Sequence, residues 1–142
     1  MPPSSVDEAP ADRRQSPASR GWIAAGAISG FIAVAAGAFG AHSLKTRLPI
    51  ERLEVFETAA RYQLIHSLSL VTVGVLASMG WRSAALGAAG WAFAGGTVLF
   101  SGSLYALALS GERALGAVTP FGGLGLLAGW ASLAIAALSR RP

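Results

Sequence analysis

The sequence predicts an all-α polytopic membrane protein: a four-transmembrane-helix antiparallel bundle with a short amphipathic helix ahead of the second span. Three observations carry that expectation. Only 13% of the 142 residues are charged, against roughly 25% in an ordinary soluble domain. All seven acids and all eleven Lys and Arg side chains fall outside four apolar blocks, at about residues 22–41, 62–79, 84–109 and 119–138. Each block approaches the roughly 20 helical residues needed to cross a hydrocarbon core. A soluble helix would set an apolar stripe against a charged face, whereas these blocks are apolar all round. Four such helices leave almost nothing to cover an outside that faces water.

The elements follow in order. Residues 1–20 are rich in Pro, Ser, Ala and charge and have almost nothing to bury, so a disordered tail is expected. Arg13, Arg14 and Arg20 precede the first block, which closes on AAGAFGAHS, with the small residues of a secretory cleavage site. That block is longer than the 7–15 residues typical of a signal-peptide core, so it reads as a retained helix. The connection at 42–61 holds most of the charge outside the tail. Within it Ile50, Leu53, Phe56, Ala60 and Leu64 recur at helical spacing, and Pro49 suits a first helical position. Glu57 stands four residues before Arg61, the favourable order for an exposed ion pair. An amphipathic lead-in is therefore expected, either lying at the interface or running straight into the second span. Residues 80–83 leave room only for a tight hairpin into the third helix. The third ends where Gly111 can take a left-handed turn. The fourth opens with Thr119 as cap and Pro120 in the first turn.

Four crossings place both termini and residues 80–83 on one side. That side carries Arg13, Arg14, Arg20, Arg82, Arg140 and Arg141. The other side carries Lys45, Arg47, Arg52, Arg61 and Arg113. Arg82, Arg140 and Arg141 have no acids nearby, which favours cytoplasmic termini. The +4 net charge is a set of flanks to apolar blocks, the pattern of membrane anchoring, so no nucleic-acid partner is implied. The chain has no cysteine, which excludes disulfides and thiolate metal sites.

Fourteen of the eighteen glycines lie inside the blocks. Lipid supplies no hydrophobic force between helices, so close approach through small residues matters more there. Gly26/Gly30 and Gly125/Gly129 form GxxxG pairs, and Ala33/Gly37 and Ala92/Gly96 are looser versions. They serve either internal packing or a homo-oligomer seam. Polar residues gather toward the 42–61 side: His42 leaving the first helix, Gln63 and His66 entering the second, Ser101, Ser103 and Tyr105 late in the third, and Thr119 opening the fourth. An unpaired polar group in hydrocarbon costs several kcal/mol. His66 is therefore expected to face the interior, with a Tyr or Ser hydroxyl of the third helix completing a cluster with Gln63.

Four segments, GAISGFIAVAAGAFGAHSL, FETAARYQLIHSLSL, GGTVLFSGSLYALALSG and VTPFGGLGLLAGWASL, resemble in order the signature blocks of the YgdD-like family. This is a family of small, uncharacterised integral membrane proteins. The resemblance runs from about Gly26 to Leu133 and implies a four-helix inner-membrane protein. It brings no catalytic residue, metal site or cofactor. Its motif residues map onto Gly37, Gly40, His42, Phe56, Tyr62, Gln63, His66, Ser67, Gly96, Thr97, Phe100, Ser101, Gly102, Tyr105, Thr119, Pro120, Gly122 and Gly123. The leading functional expectation is a non-catalytic membrane component or assembly partner, held in the bilayer beside other membrane proteins or copies of itself. A transporter or channel subunit is the alternative, weakened because the four blocks hold no carboxylate to carry a driving ion. A haem- or quinone-binding redox protein using His42 and His66 is the third.

Overall fold

The computed structural model describes residues 16–139, and within them the chain is carried by four long helices: α1 Pro17–Phe39, α2 Ile50–Ser78, α3 Ala84–Ser110 and α4 Thr119–Leu138. A π-helical turn, Gly40–Leu44, prolongs α1, and a 3₁₀ turn, Arg113–Ala117, leads into α4. The described residues contain no strand. Pro17–Leu44, Ala84–Ser110 and Arg113–Leu138 are each long and apolar enough to cross a membrane. The stretch that contains α2 is not among them. Its first half carries Glu51, Arg52, Glu54, Glu57 and Arg61, and Gln63 and His66 follow directly.

Several boundaries differ from those expected. Residues 1–15 of the expected tail lie outside the described residues, but Pro17–Arg20 are helical rather than tail. The cause is a complete start signal. Ser16 caps the helix by accepting from the Ser19 N–H at 3.3 Å, Pro17 occupies the first turn, and the Ser19 hydroxyl donates back to the Ser16 carbonyl at 2.8 Å. Of the two arrangements expected for the amphipathic lead-in, the structure has the one that runs straight into the second block, with no separate short helix. The lead-in is the first part of a continuous 29-residue α2. Nothing between Ile50 and Gly74 breaks the helix, and the buried stripe Leu53, Phe56, Ala60, Gln63, Ser67, Leu70 and Gly74 runs through both parts. Thr119 does not cap α4. Val118 precedes the helix without a side-chain cap, and the Thr119 hydroxyl bonds Ser103 Oγ at 2.8 Å instead. The Glu57–Arg61 ion pair does not form among the described residues. Gly111 takes the expected left-handed turn at φ 77°, and Gly80 closes the α2–α3 connection at φ 86°.

Consecutive helices pack on one another: α1 on α2, α2 on α3 and α3 on α4. Glycine sets the closest approaches. A methyl added at Gly26 would stand 2.7 Å from the Ser67 carbonyl, and one at Gly74 would stand 2.8 Å from the Ile23 backbone nitrogen. Gly96 meets Gly125 and Leu126 across the α3–α4 contact, and Gly129 lies under the Phe93 ring. Phe93, buried completely, then joins Leu70, Val73, Leu86, Ala89 and Ala136 in the main apolar cluster. Trp22 packs its ring over Gly90 and stands edge-on to Trp91 at 5.2 Å.

A second cluster, Leu44, Leu53, Phe56 and Ala108, closes the other end. There Arg52 of α2 reaches the open end of α3. Its Nε donates to the Ala108 carbonyl and its Nη2 to the Leu109 carbonyl, both at 2.7 Å. Those carbonyls belong to the last turn, which lacks intrahelical donors, and a cation there also complements the helix dipole.

Candidate functional site

α2 supplies the centre of the polar region, because it packs between α1 and α3 and carries Gln63 and His66. The Gln63 side chain, buried between α1 and α3, is satisfied at both ends. Its Nε2 donates to the Ser29 carbonyl of α1 at 3.2 Å and, more weakly, to Ser29 Oγ at 3.5 Å. Its Oε1 accepts from the Tyr105 hydroxyl of α3 at 2.9 Å. Tyr105 is held in turn by the Phe56 ring, with centroids 4.8 Å apart. One amide thus ties three helices together.

His66 lies one turn farther along α2 and is only 4% exposed. It does not join Gln63 and Tyr105. Its Nδ1 sits 2.7 Å from the Tyr62 carbonyl, and its Nε2 accepts from the indole N–H of Trp130 in α4 at 3.3 Å. A carbonyl can only accept and an indole N–H can only donate, so these partners fit the neutral ring with its proton on Nδ1. Phe93 and Trp130 flank the imidazole at 5.8 and 6.2 Å between centroids. The expectation that a Tyr or Ser hydroxyl of α3 would complete His66 is therefore replaced: Tyr105 serves Gln63, and an aromatic N–H from α4 serves His66.

The remaining expected residues separate. Ser103 and Thr119 bond each other and tie the end of α3 to the start of α4. His42 is exposed in the π-helical turn. Gly30 lies against Ser67, the neighbour of His66, so the twelve residues from Gly30 to His42 put roughly 18 Å of helix between the imidazoles. His42 and His66 of one chain cannot share an iron. Among the described residues no three His, Asp or Glu side chains gather as metal ligands would. Of the expected packing glycines, Gly26, Gly30, Gly96, Gly125 and Gly129 face a neighbouring helix, whereas Gly37 faces open space.

Beside this network lies a partly open groove of about 460 Å³ between α1 and α3, with α2 as its floor. Ala25, Ile28 and Ile32 form one wall, Ala94, Val98 and Gly102 the other, and Ser29, Gln63, Thr97, Ser101 and Tyr105 bring polar atoms to it. Thr97 and Ser101 are 6% and 2% exposed, and their hydroxyls have no hydrogen-bond partner. Sequence reasoning placed Ser101 in the polar cluster but left Thr97 as a motif residue only. Their four-residue spacing, which stacks both on one helix face, was the available signal.

Comparison with known proteins agrees with the sequence resemblance. Residues 36–123 match a family model described as "Protein of unknown function (DUF423)". A UPF0382 membrane protein of Staphylococcus haemolyticus is 46% identical over 114 residues, covering 80% of this chain and 92% of its own. The UPF0382 inner membrane protein YgdD of Escherichia coli is 42% identical over 126 residues, covering 84% and 91%. The UPF0382 membrane protein YwdK of Bacillus subtilis is 40% identical over 117 residues, covering 82% and 95%. No solved structure matches the chain.

Proposed function

Because the chain belongs to the DUF423 family of membrane proteins of unknown function, we propose that it is a non-catalytic, multi-pass inner-membrane component that assembles with other membrane proteins or with itself. In this reading α2 is the fourth span, the four helices alternate in direction, and both termini face the cytoplasm. Arg61 is exposed at the head of the uncharged part of α2, where a long side chain can reach the headgroups. The remaining 17 residues of α2 continue inward from it.

One observation carries the non-catalytic assignment: both nitrogens of His66 are engaged by the protein itself. His66 is the one imidazole in the four blocks, His42 standing just past the first, and no carboxylate stands in α3 or α4. Moving a proton through His66 requires breaking the α2–α4 contact that it forms with Trp130. The apolar surface supports assembly within a bilayer. Phe31 and Val34 of α1, Trp91 and Val98 of α3, and Phe121, Leu124 and Leu127 of α4 are all more than half exposed.

The test is native mass spectrometry of the protein extracted from its own membrane in a mild detergent. The expected result is a defined assembly heavier than the 14.4 kDa chain. A bare monomer under conditions that preserve known complexes in the same extract would refute assembly. Solute flux in reconstituted vesicles that disappears with His66→Ala would replace this reading with transport.

A further inference from the structure

The groove between α1 and α3 contains a conflict that the other buried Gln, His and Ser side chains among the described residues avoid. Gln63, His66, Ser67, Ser69 and Ser103 all have partners. Thr97 Oγ1 and Ser101 Oγ, buried and lining the groove, have none among the described residues. A buried hydroxyl without a partner carries its full desolvation penalty. The usual escape for Ser and Thr in a helix is the carbonyl three or four residues back, and Ser67, Ser69, Thr72, Ser78, Ser103 and Ser110 all take it. Thr97 and Ser101 do not take it, and both line the groove instead. They stand one turn apart on the same face of α3, about 6 Å along its axis.

We propose that this groove binds an apolar, bilayer-dissolved molecule through a carbonyl oxygen that accepts from the Thr97 and Ser101 hydroxyls. Its volume, about 460 Å³, equals roughly fifteen water volumes at ~30 Å³ each, enough for a small ring or a chain segment. The walls are aliphatic and carry no charge, so the ligand is neutral there. The hydroxyls are its only unengaged donors on α3, since the Tyr105 O–H already serves Gln63. Depth selects among carbonyl sources. Ser101 is nine residues from the end of α3 and Thr97 thirteen from its start, so the two lie roughly 14 and 20 Å from those ends. A ring ketone of the quinone type dissolves at that depth. The ester carbonyl of a glycerolipid sits nearer the headgroups and reaches the groove only by sinking. Neither source requires electron transfer here, and His66, on the α4 side of α2, takes no part. The proposal rests on the protein spanning the bilayer. Failure of that premise appears separately, as failure of the protein to insert into nanodiscs.

The test uses the full chain in nanodiscs, titrated with decylubiquinone in one arm and monoolein in the other, and followed by quenching or shift of its tryptophan fluorescence. The expected result is saturable binding of at least one probe that falls at least tenfold in Thr97→Val/Ser101→Ala. The probe that binds identifies the carbonyl source. The double substitution removes only unpartnered hydroxyls, so its midpoint of thermal unfolding without probe should be unchanged or higher. That separates lost binding from lost folding. Non-saturable partition of both probes, or saturable binding that the double variant leaves intact, would overturn the assignment.

Discussion

A methyl group at Gly122 is the sharpest perturbation of the α3–α4 contact. In Gly122→Ala the new Cβ would stand 2.6 Å from the Cα and 2.8 Å from the Cβ of Phe100, and closer still to its backbone nitrogen. These atoms belong to α3 itself, so no side-chain rotation relieves the clash. Carbon contacts are comfortable at about 3.5–4.0 Å, so α4 must move off α3 by about 1 Å. That movement loosens Leu126 and Gly125 against Gly96, and Gly129 against Phe93. Overpacking of this kind costs about 1–3 kcal/mol, and a backbone-on-backbone clash belongs at the upper end. Replacing glycine by alanine in a helix returns up to about 1 kcal/mol, leaving a net loss near 2 kcal/mol. Gly37→Ala is the matched control. Its Cβ meets nothing within 4 Å, so only the propensity gain of up to about 1 kcal/mol remains. Unfolding in mixed micelles, followed by the fluorescence of the four tryptophans, should separate the two variants by about 2–3 kcal/mol. Equal stability, or Gly122→Ala above Gly37→Ala, would refute the packing described for α3 and α4.

Three further outcomes are expected. In a double-mutant cycle, Trp130→Phe and His66→Ala should couple by about 0.5–1.7 kcal/mol, the range for hydrogen bonds between membrane helices; additivity would mean that the indole N–H does not serve His66. Gln63→Leu should destabilise by about 1–3 kcal/mol because the Tyr105 hydroxyl loses its acceptor, and adding Tyr105→Phe should recover part of that loss in the same unfolding assay. Arg52→Ala should cost about 1–2 kcal/mol and raise amide exchange through the 3₁₀ turn after α3. Arg52→Lys should recover little, since an ammonium cannot fork across two carbonyls.

The helical blocks were legible because charge marks their ends. α3 and α4 fall almost where the apolar runs, Gly111 and Pro120 put them. The start of α1 was hidden because Ser16, Pro17 and Ser19 also match the composition of a tail, and only the capping geometry distinguishes the two. The sequence leaves open whether the lead-in joins the second span, because the change from charged to apolar residues near Tyr62 could mark a boundary. Backbone hydrogen bonding ignores that change of surface, so α2 continues through it. In the polar region, Gln63 and Tyr105 were legible together because helical rise puts them at similar depth. The Trp130–His66 bond was not, because 64 residues separate the pair and a tryptophan in an apolar run reads as lipid-facing bulk. Arg52 escaped notice for a related reason: exposed bases near a membrane read as interfacial anchors, and only the loop geometry brings its fork to the end of α3. The unpartnered state of Thr97 and Ser101 is a matter of rotamer, on which sequence is silent.

The membrane topology rests on α2 crossing the bilayer, and the absence of native cysteine makes that directly measurable. Single substitutions Thr46→Cys, ahead of α2, and Ala84→Cys, behind it, would be probed in intact cells and in permeabilised cells with a membrane-impermeant thiol reagent. If α2 spans, Thr46→Cys reacts from outside and Ala84→Cys reacts only after permeabilisation. Labelling of both from the same side would contradict a fourth span and, with it, the four-helix topology.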